Sequence, residues 1–263
     1  MEKAYITGAS GFIGKHLTER LDEFVTIPHE KIKTIKLKPF ERFFFLSTYG
    51  NMSFHDDDKK ILQANILDLI HILETMERDF KSFVFISTSS VRLPRQTMYS
   101  RSKKAAEEIL LSYMEKYNLP VCIIRPFSIT GVGEQKEHLI PTLIRSCMEN
   151  ELVNFVPEPA HDFIDVSDVV DGIINLSSRS ARGIFELGTG KQVSNQTILD
   201  IIQEVTGKKA NINVVDKMRD YDTNKWVSLN YKARGYGWLP RKTLEQSIQE
   251  MVKEYESTTK KNN

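Results

Sequence analysis

The 263-residue chain has two cysteines, six histidines and a formal net charge of only +1, and it has no apolar stretch near the ~20 residues that cross a bilayer. Two cysteines exclude a disulfide framework. Cys122 falls in an apolar strand pattern and Cys147 in a helical one, so both are expected to be buried, inert thiols. His16, His55, His71 and His138 are scattered without ligand spacing, and no metal site is expected. The near balance of 36 Lys and Arg against 35 Asp and Glu gives no general attraction for nucleic acid or an anionic membrane, so neither is an expected partner. Any affinity for a phosphorylated ligand must be local. The chain enters its first strand pattern at once, with no room for a signal peptide, and a cytoplasmic protein is the expectation.

What the chain does have is glycine in one place. Ile6 leads into Thr7-Gly8-Ala9-Ser10-Gly11-Phe12-Ile13-Gly14, the form of a strand turning through glycines into a helix. Gly8 permits a tight turn, Gly11 lets backbone approach a pyrophosphate, and Gly14 lets the helix lie against the strand. Unpaired N–H groups at the helix start then favour an anion.

Strand and helix patterns alternate after this turn. Lys3–Thr7, Phe24–Ile27, Phe43–Leu46, Phe83–Ile86 and Val121–Ile124 read as strands, with a short one possible at Ile32–Leu37. Phe12–Leu21, a helix opened by Asp56, Asp57 and Asp58, and Met98–Tyr117, ended by Pro120, read as helices. The order predicts an α/β fold, a Rossmann-like doubly wound parallel sheet, over 1–131. Residues 132–256 are expected to form mainly a smaller α/β substrate lobe with segments returning to the core. Its helices are placed at His138–Asn150, Ser167–Ser178, Asn195–Thr206 and Leu244–Tyr255, and 257–263 reads as a frayed tail. A substrate is expected in the cleft between the lobes. Phe43, Phe44 and Phe45 read as core, Trp226 and Trp238 as packing for the small lobe, and Asp165 and Asp168 as caps of the following helix.

Two further features follow the glycine turn in order: the cluster Ser87-Thr88-Ser89-Ser90 at a strand end, and Tyr99-Ser100-Arg101-Ser102-Lys103 at a helix start. Tyr99 and Lys103, four apart, share one helix face. An ammonium beside a tyrosine favours phenolate and lowers its pKa from ~10, so Tyr99 could give or take a proton. Together with Phe45-Leu46-Ser47, Arg125-Pro126-Phe127, Asp162 to Val170 and Glu186 to Gly190, these residues resemble the extended short-chain dehydrogenase/reductase superfamily, in its branch of NAD(P)-dependent nucleotide-sugar epimerases, dehydratases and ketoreductases.

The resemblance implies catalytic roles for Thr88, with Ser89 the alternative hydroxyl, and for Tyr99 and Lys103. It implies cofactor contacts from Gly8, Gly11, Phe12, Ile13, Gly14, His29, Leu46, Ser47, Tyr99, Lys103 and Phe127. Thr88, Ser128, His161 and Arg219 would meet a nucleotide-sugar substrate. A homodimer pairing 57–76 and 98–117 with their copies is also implied.

Several departures shape that expectation. The acid that usually closes the second strand and binds a ribose 2′-OH is replaced by Pro28-His29-Glu30-Lys31, which tilts the reading from NAD toward NADP. Only 15 residues, Pro28 to Arg42, separate two strands, too few for a full crossover, so one sheet edge should be pruned. Thr88 and Tyr99 stand close in sequence, implying a shallow substrate site. Ser128 replaces the family's asparagine and His161 its arginine, while Arg219-Asp220 resembles its second diphosphate clamp. Reduction of a 4-keto sugar is the leading expectation. A 4-epimerase is the alternative, and a sensor or assembly module without turnover is the competing class.

Overall fold

The computed structural model describes residues 2–52, 54–216 and 225–262. In chain order the elements are β1 (Glu2–Thr7), α1 (Phe12–Thr18), β2 (Val25–Ile27), β3 (Phe40–Phe45), α2 (Asp58–Leu62), α3 (Asp68–Thr75), β4 (Ser82–Ile86), α4 (Met98–Tyr117) and β5 (Val121–Pro126). There follow β6 (Ser128–Thr130), α5 (Leu139–Glu149), β7 (Val153–Phe155), β8 (Ala160–His161), β9 (Phe163–Asp165), α6 (Val166–Ser178) and β10 (Gly183–Leu187). The last are β11 (Val193–Ser194), α7 (Asn195–Thr206), β12 (Ile212–Val214), α8 (Tyr231–Gly235) and α9 (Leu244–Asn262).

Two compact units divide the chain. The first comprises Met1–Pro126, Val170–Leu187 and Tyr231–Trp238, and the second Phe127–Val169, Gly188–Asn230 and Leu239–Asn263. The division comes after Pro126, short of the expected 131, and Trp238 belongs to the first unit rather than the smaller lobe. Its indole lies against Gly172, where an added Cβ would stand 3.0 Å from Nε1.

The first unit is built on a six-stranded sheet in the order β10-β5-β4-β3-β1-β2, parallel throughout. Parallel strands need both faces covered, and β4 is accordingly buried along its whole length. Phe43 and Phe83 stack at 5.1 Å and Phe40 and Phe80 at 5.4 Å. Each fully buried phenylalanine contributes about 2–3 kcal/mol. From β1 the chain moves outward to β2, then returns to the other side of β1 as β3. That reversal creates a switch point beside Gly8, where doubly wound sheets bind ligands.

The pruned edge is present: β2 is the last strand, paired only with β1. No strand forms at 32–37. A 3₁₀ turn at His29–Lys31 takes its place, with Ile32, Ile35 and Leu37 packed on the core. Asn118, left-handed at φ 56°, caps α4 two residues before the proline expected to end it.

In the second unit, apolar faces of α5, α7 and α9 meet around Ile140, Leu143, Ile144, Ile198, Leu199, Ile202, Ile248 and Met251. Helix α9 runs to Asn262, through the segment expected to be a tail. Asp165 does cap α6, its Oδ1 accepting the Ser167 N–H at 2.8 Å. Asp168 instead accepts the backbone N–H groups of Arg241 and Lys242 at 3.0 and 2.9 Å, anchoring the approach to α9. Among the described residues no helix is long and apolar enough to cross a membrane.

Candidate active site

The glycine turn forms as its residue types require. Gly8 has φ +72°, and a Cβ there would come within 2.8 Å of Leu46 C and Ser47 N. At Gly14 a Cβ would stand 2.1 Å from the Gly8 carbonyl oxygen. Gly11 N–H donates to that oxygen at 3.1 Å. Leu46 N–H donates to Thr7 O at 3.2 Å, and Ser47 N–H to Thr7 Oγ1 at 3.3 Å. Gly8, Gly11, Gly14, Leu46 and Ser47 therefore come together. Gly11 caps α1 without a side chain and no acid stands in the first turn, so nothing there opposes an anion above Phe12 and Ile13.

His29 follows Ile27, which pairs in register with Thr7. Its Nδ1 lies 3.2 Å from Oδ2 of Asp68, a buried carboxylate whose Oδ1 accepts from Gln63 Nε2 at 2.6 Å. The imidazole expected to meet a cofactor phosphate thus already faces an acid.

Tyr99 and Lys103 stand on α4, and Thr88 lies two residues beyond β4. The Thr88 hydroxyl acts on the Tyr99 phenol, lowering its pKa, whereas Ser89 is buried, which favours Thr88 as the partner. Burial of the phenol pushes its pKa above the usual value, against the lowering effect of the Thr48 and Thr88 hydroxyls. The depression expected from Lys103 is not what these surroundings give. Lys103 is 1% exposed, its Nζ lies 4.1 Å from the centre of the Phe85 ring, and it has no hydrogen-bond partner. Desolvation pulls its pKa to about 7, with Glu107 opposing.

Glu107, one turn further on α4, is wholly buried. It accepts from Ser87 Oγ at 2.6 Å and from Arg125 Nε at 2.8 Å, a charge-assisted clasp tying α4 to β4 and β5. A buried amine without a partner and, in the same unit, a glycine cradle with no room for side chains fit a nicotinamide dinucleotide. Gly8–Gly14 could hold its pyrophosphate, and Tyr99 and Lys103 its nicotinamide ribose.

Two residues escaped the sequence reading. Thr48, like Thr88, acts to lower the pKa of the Tyr99 phenol. Asn65, fully buried in a π turn at Gln63–Leu67 between α2 and α3, accepts from Thr48 Oγ1 at 3.0 Å and donates to Ser102 Oγ at 2.9 Å. No sequence signal marked it, since the buried positions Ile61, Asn65, Leu69 and Ile72 keep helical spacing through the π turn.

Within the second unit, Ser128 Oγ and His161 Nδ1 are 3.3 Å apart, and the His161 ring lies 4.8 Å from that of Trp226. Phe127 is buried. Asp162 accepts the N–H groups of Thr189, Gly190 and Ser228 at 2.8, 2.9 and 3.0 Å, holding two loops to the strand that carries His161. Arg219, the expected clamp residue, lies outside the described residues.

The NAD dependent epimerase/dehydratase family model matches residues 47–188. A Bacillus subtilis protein described as an uncharacterized UDP-glucose epimerase, YtcB, is 24% identical over 306 residues, covering 94% of this chain and 95% of that protein. The GDP-6-deoxy-D-mannose reductase of Pseudomonas aeruginosa is 24% identical, covering 97% and 98%. Among solved structures, MoeE5 in complex with UDP-glucose and NAD matches with a TM-score of 0.88 at 23% identity, covering 98% of this chain and 99% of that one. Glycine cradle, parallel sheet and matched segment agree, and the chain belongs to the NAD-dependent epimerase/dehydratase family.

Proposed function

We propose that the protein is an NAD(P)-dependent oxidoreductase acting on a nucleotide-activated sugar, with reduction of a 4-keto group as its reaction. The observation carrying this reading is the buried, unpartnered amine of Lys103 one helical turn from Tyr99, whose phenol also feels the Thr88 hydroxyl. A bound nicotinamide would supply hydride to the carbonyl carbon. Thr88 would hold the carbonyl oxygen, and Tyr99 would give that oxygen its proton. A phenol whose pKa is raised stays protonated at neutral pH, which suits an acid better than a base. Lys103 would hydrogen-bond the nicotinamide ribose and recover the partner it lacks here. Ser128, His161 and Arg219 are the substrate-facing candidates. A homodimer through the helices of 57–76 and 98–117 accords with Leu62 at 39% and Leu67 at 52% exposure.

Incubation with NADH or NADPH and 4-keto sugars linked to UDP, dTDP or GDP tests the reading, with products identified by NMR. Reduction by the wild type and its loss by at least a hundredfold in Tyr99→Phe, with cofactor affinity kept, is the expected result. Interconversion of C4 epimers with NAD retained would replace it with an epimerase. Absence of cofactor binding would leave a dinucleotide fold without turnover.

A further inference from the structure

Asp68 is a charge that the proposed reaction leaves unused. It stands on α3, and its side chain is 1% exposed. Gln63 Nε2 donates to its Oδ1 at 2.6 Å, which fixes the carboxylate, whereas Oδ2 is buried and accepts no hydrogen bond from the described residues. The group facing Oδ2 is the imidazole of His29, with Nδ1 3.2 Å away and 63% of its side chain exposed. A neutral amide does not cancel a buried negative charge, and His29, when protonated, is the cation at hand.

His29 stands 21 residues after Gly8 and two after Ile27, which pairs with Thr7 at the glycine turn. Dinucleotide folds meet the adenosine ribose about 20 residues beyond such a turn. An acid there accepts from a 2′-OH, whereas a 2′-phosphate calls for net positive charge. The turn itself adds none beyond His29, since Glu30 and Lys31 are both exposed and opposite in sign. The lysines that follow travel with the chain away from Gly8, because β3 begins with Phe40 beside Glu2, at the far end of β1. With its imidazole neutral, the His29–Asp68 pair carries one negative charge. With the imidazole protonated it carries none, so neither state supplies what a 2′-phosphate needs.

We propose that Asp68 is a positioning residue that, acting through His29, selects NAD over NADP. This deepens the reading above and rests on it for the binding of a nicotinamide dinucleotide. The acid missing from the end of β2 is supplied from α3, one imidazole further back. Asp68 draws Nδ1 of His29 inward and leaves Nε2 to meet the ribose hydroxyls. Its carboxylate, held beneath the ring by Gln63, repels a phosphate placed on the same ribose. The tilt toward NADP took His29 as an available cation, and in the structure that charge is already answered.

Calorimetric titration of the purified protein with NADH and with NADPH, at low ionic strength, reads the ratio of the two dissociation constants. The wild type should bind NADH at least about tenfold more tightly. Asp68→Asn keeps the shape and removes the charge. It should tighten NADPH about five- to tenfold and leave NADH within about twofold, a gain that a loosened helix would not produce. Should Asp68→Asn not fold, His29→Arg at the exposed position takes its place: the guanidinium pairs with Asp68, and NADH stays the tighter ligand. Tighter binding of NADPH by the wild type, an unchanged ratio in Asp68→Asn, or a reversed preference in His29→Arg overturns the inference while the functional reading stands. Binding of neither cofactor by the wild type overturns both. Full turnover in Tyr99→Phe overturns the functional reading alone, because the cofactor ratio is measured without turnover.

Discussion

Lys103 is the residue whose environment is most costly to maintain. Its folded pKa, about 7 against 10.5, means that the unfolded chain binds the extra proton between those values. Stability should therefore rise with pH across that window, by up to ~1.4 kcal/mol per unit, and the penalty is fully present below pH 7. Urea unfolding of the ligand-free protein at pH 7, 8 and 9 checks the sign, and Lys103→Met should flatten the trend. The pairing of Tyr99 with Lys103 was legible because helical spacing alone places residues four apart on one face. The direction of the tyrosine shift was not legible, because it depends on burial and on hydroxyls from distant segments. Thr48 lies 51 positions from Tyr99, and no local pattern connects them.

At the scale of elements, the glycine turn and the Asp162 latch are the parts least able to tolerate change. Gly14→Ala would drive a Cβ onto the Gly8 carbonyl, 2.1 Å away, and should abolish measurable NADH and NADPH binding in calorimetry before it unfolds the chain. Asp162→Ala would strand the buried Ser228 N–H and remove an acceptor from the part-buried N–H groups of Thr189 and Gly190, and should cost about 1–3 kcal/mol, read as a lower urea midpoint. The glycine turn was written in local sequence, whereas the latch required knowing that 188–190 and 228 meet one carboxylate. Helix α4 was legible to the residue because its apolar spacing is unbroken. Helix α9 was read too short, since polar residues after Tyr255 carry no periodicity yet continue the helix. The π turn at Gln63–Leu67 shows why the stretch before it was harder. Ile61, Asn65, Leu69 and Ile72 stay buried in succession through the π turn, so the apolar spacing gives no sign of it. Deleting Ile66 should restore a regular helix and release Asn65 from Thr48, and turnover should fall even where the fold survives.

For the whole molecule, the short span from Pro28 to Arg42 was enough to foretell a trimmed sheet, because a crossover has a minimum length that sequence counts directly. The same span did not disclose that a 3₁₀ turn replaces a strand there. Two units with segments returning to the core were expected; the division falls after Pro126 rather than at 131, and the returning stretches are 170–187 and 231–238. If the proposed dimer forms, Leu67→Glu should shift sedimentation from twice the mass of one chain to that of a single chain. The trimmed sheet has a kinetic corollary. Strand β2 offers three paired residues to one neighbour, so it can detach while the other five strands stay joined. Its amides should be among the earliest in the sheet to exchange with deuterium, and slowing of that exchange by a dinucleotide would register occupancy from the edge inward, before any chemistry takes place.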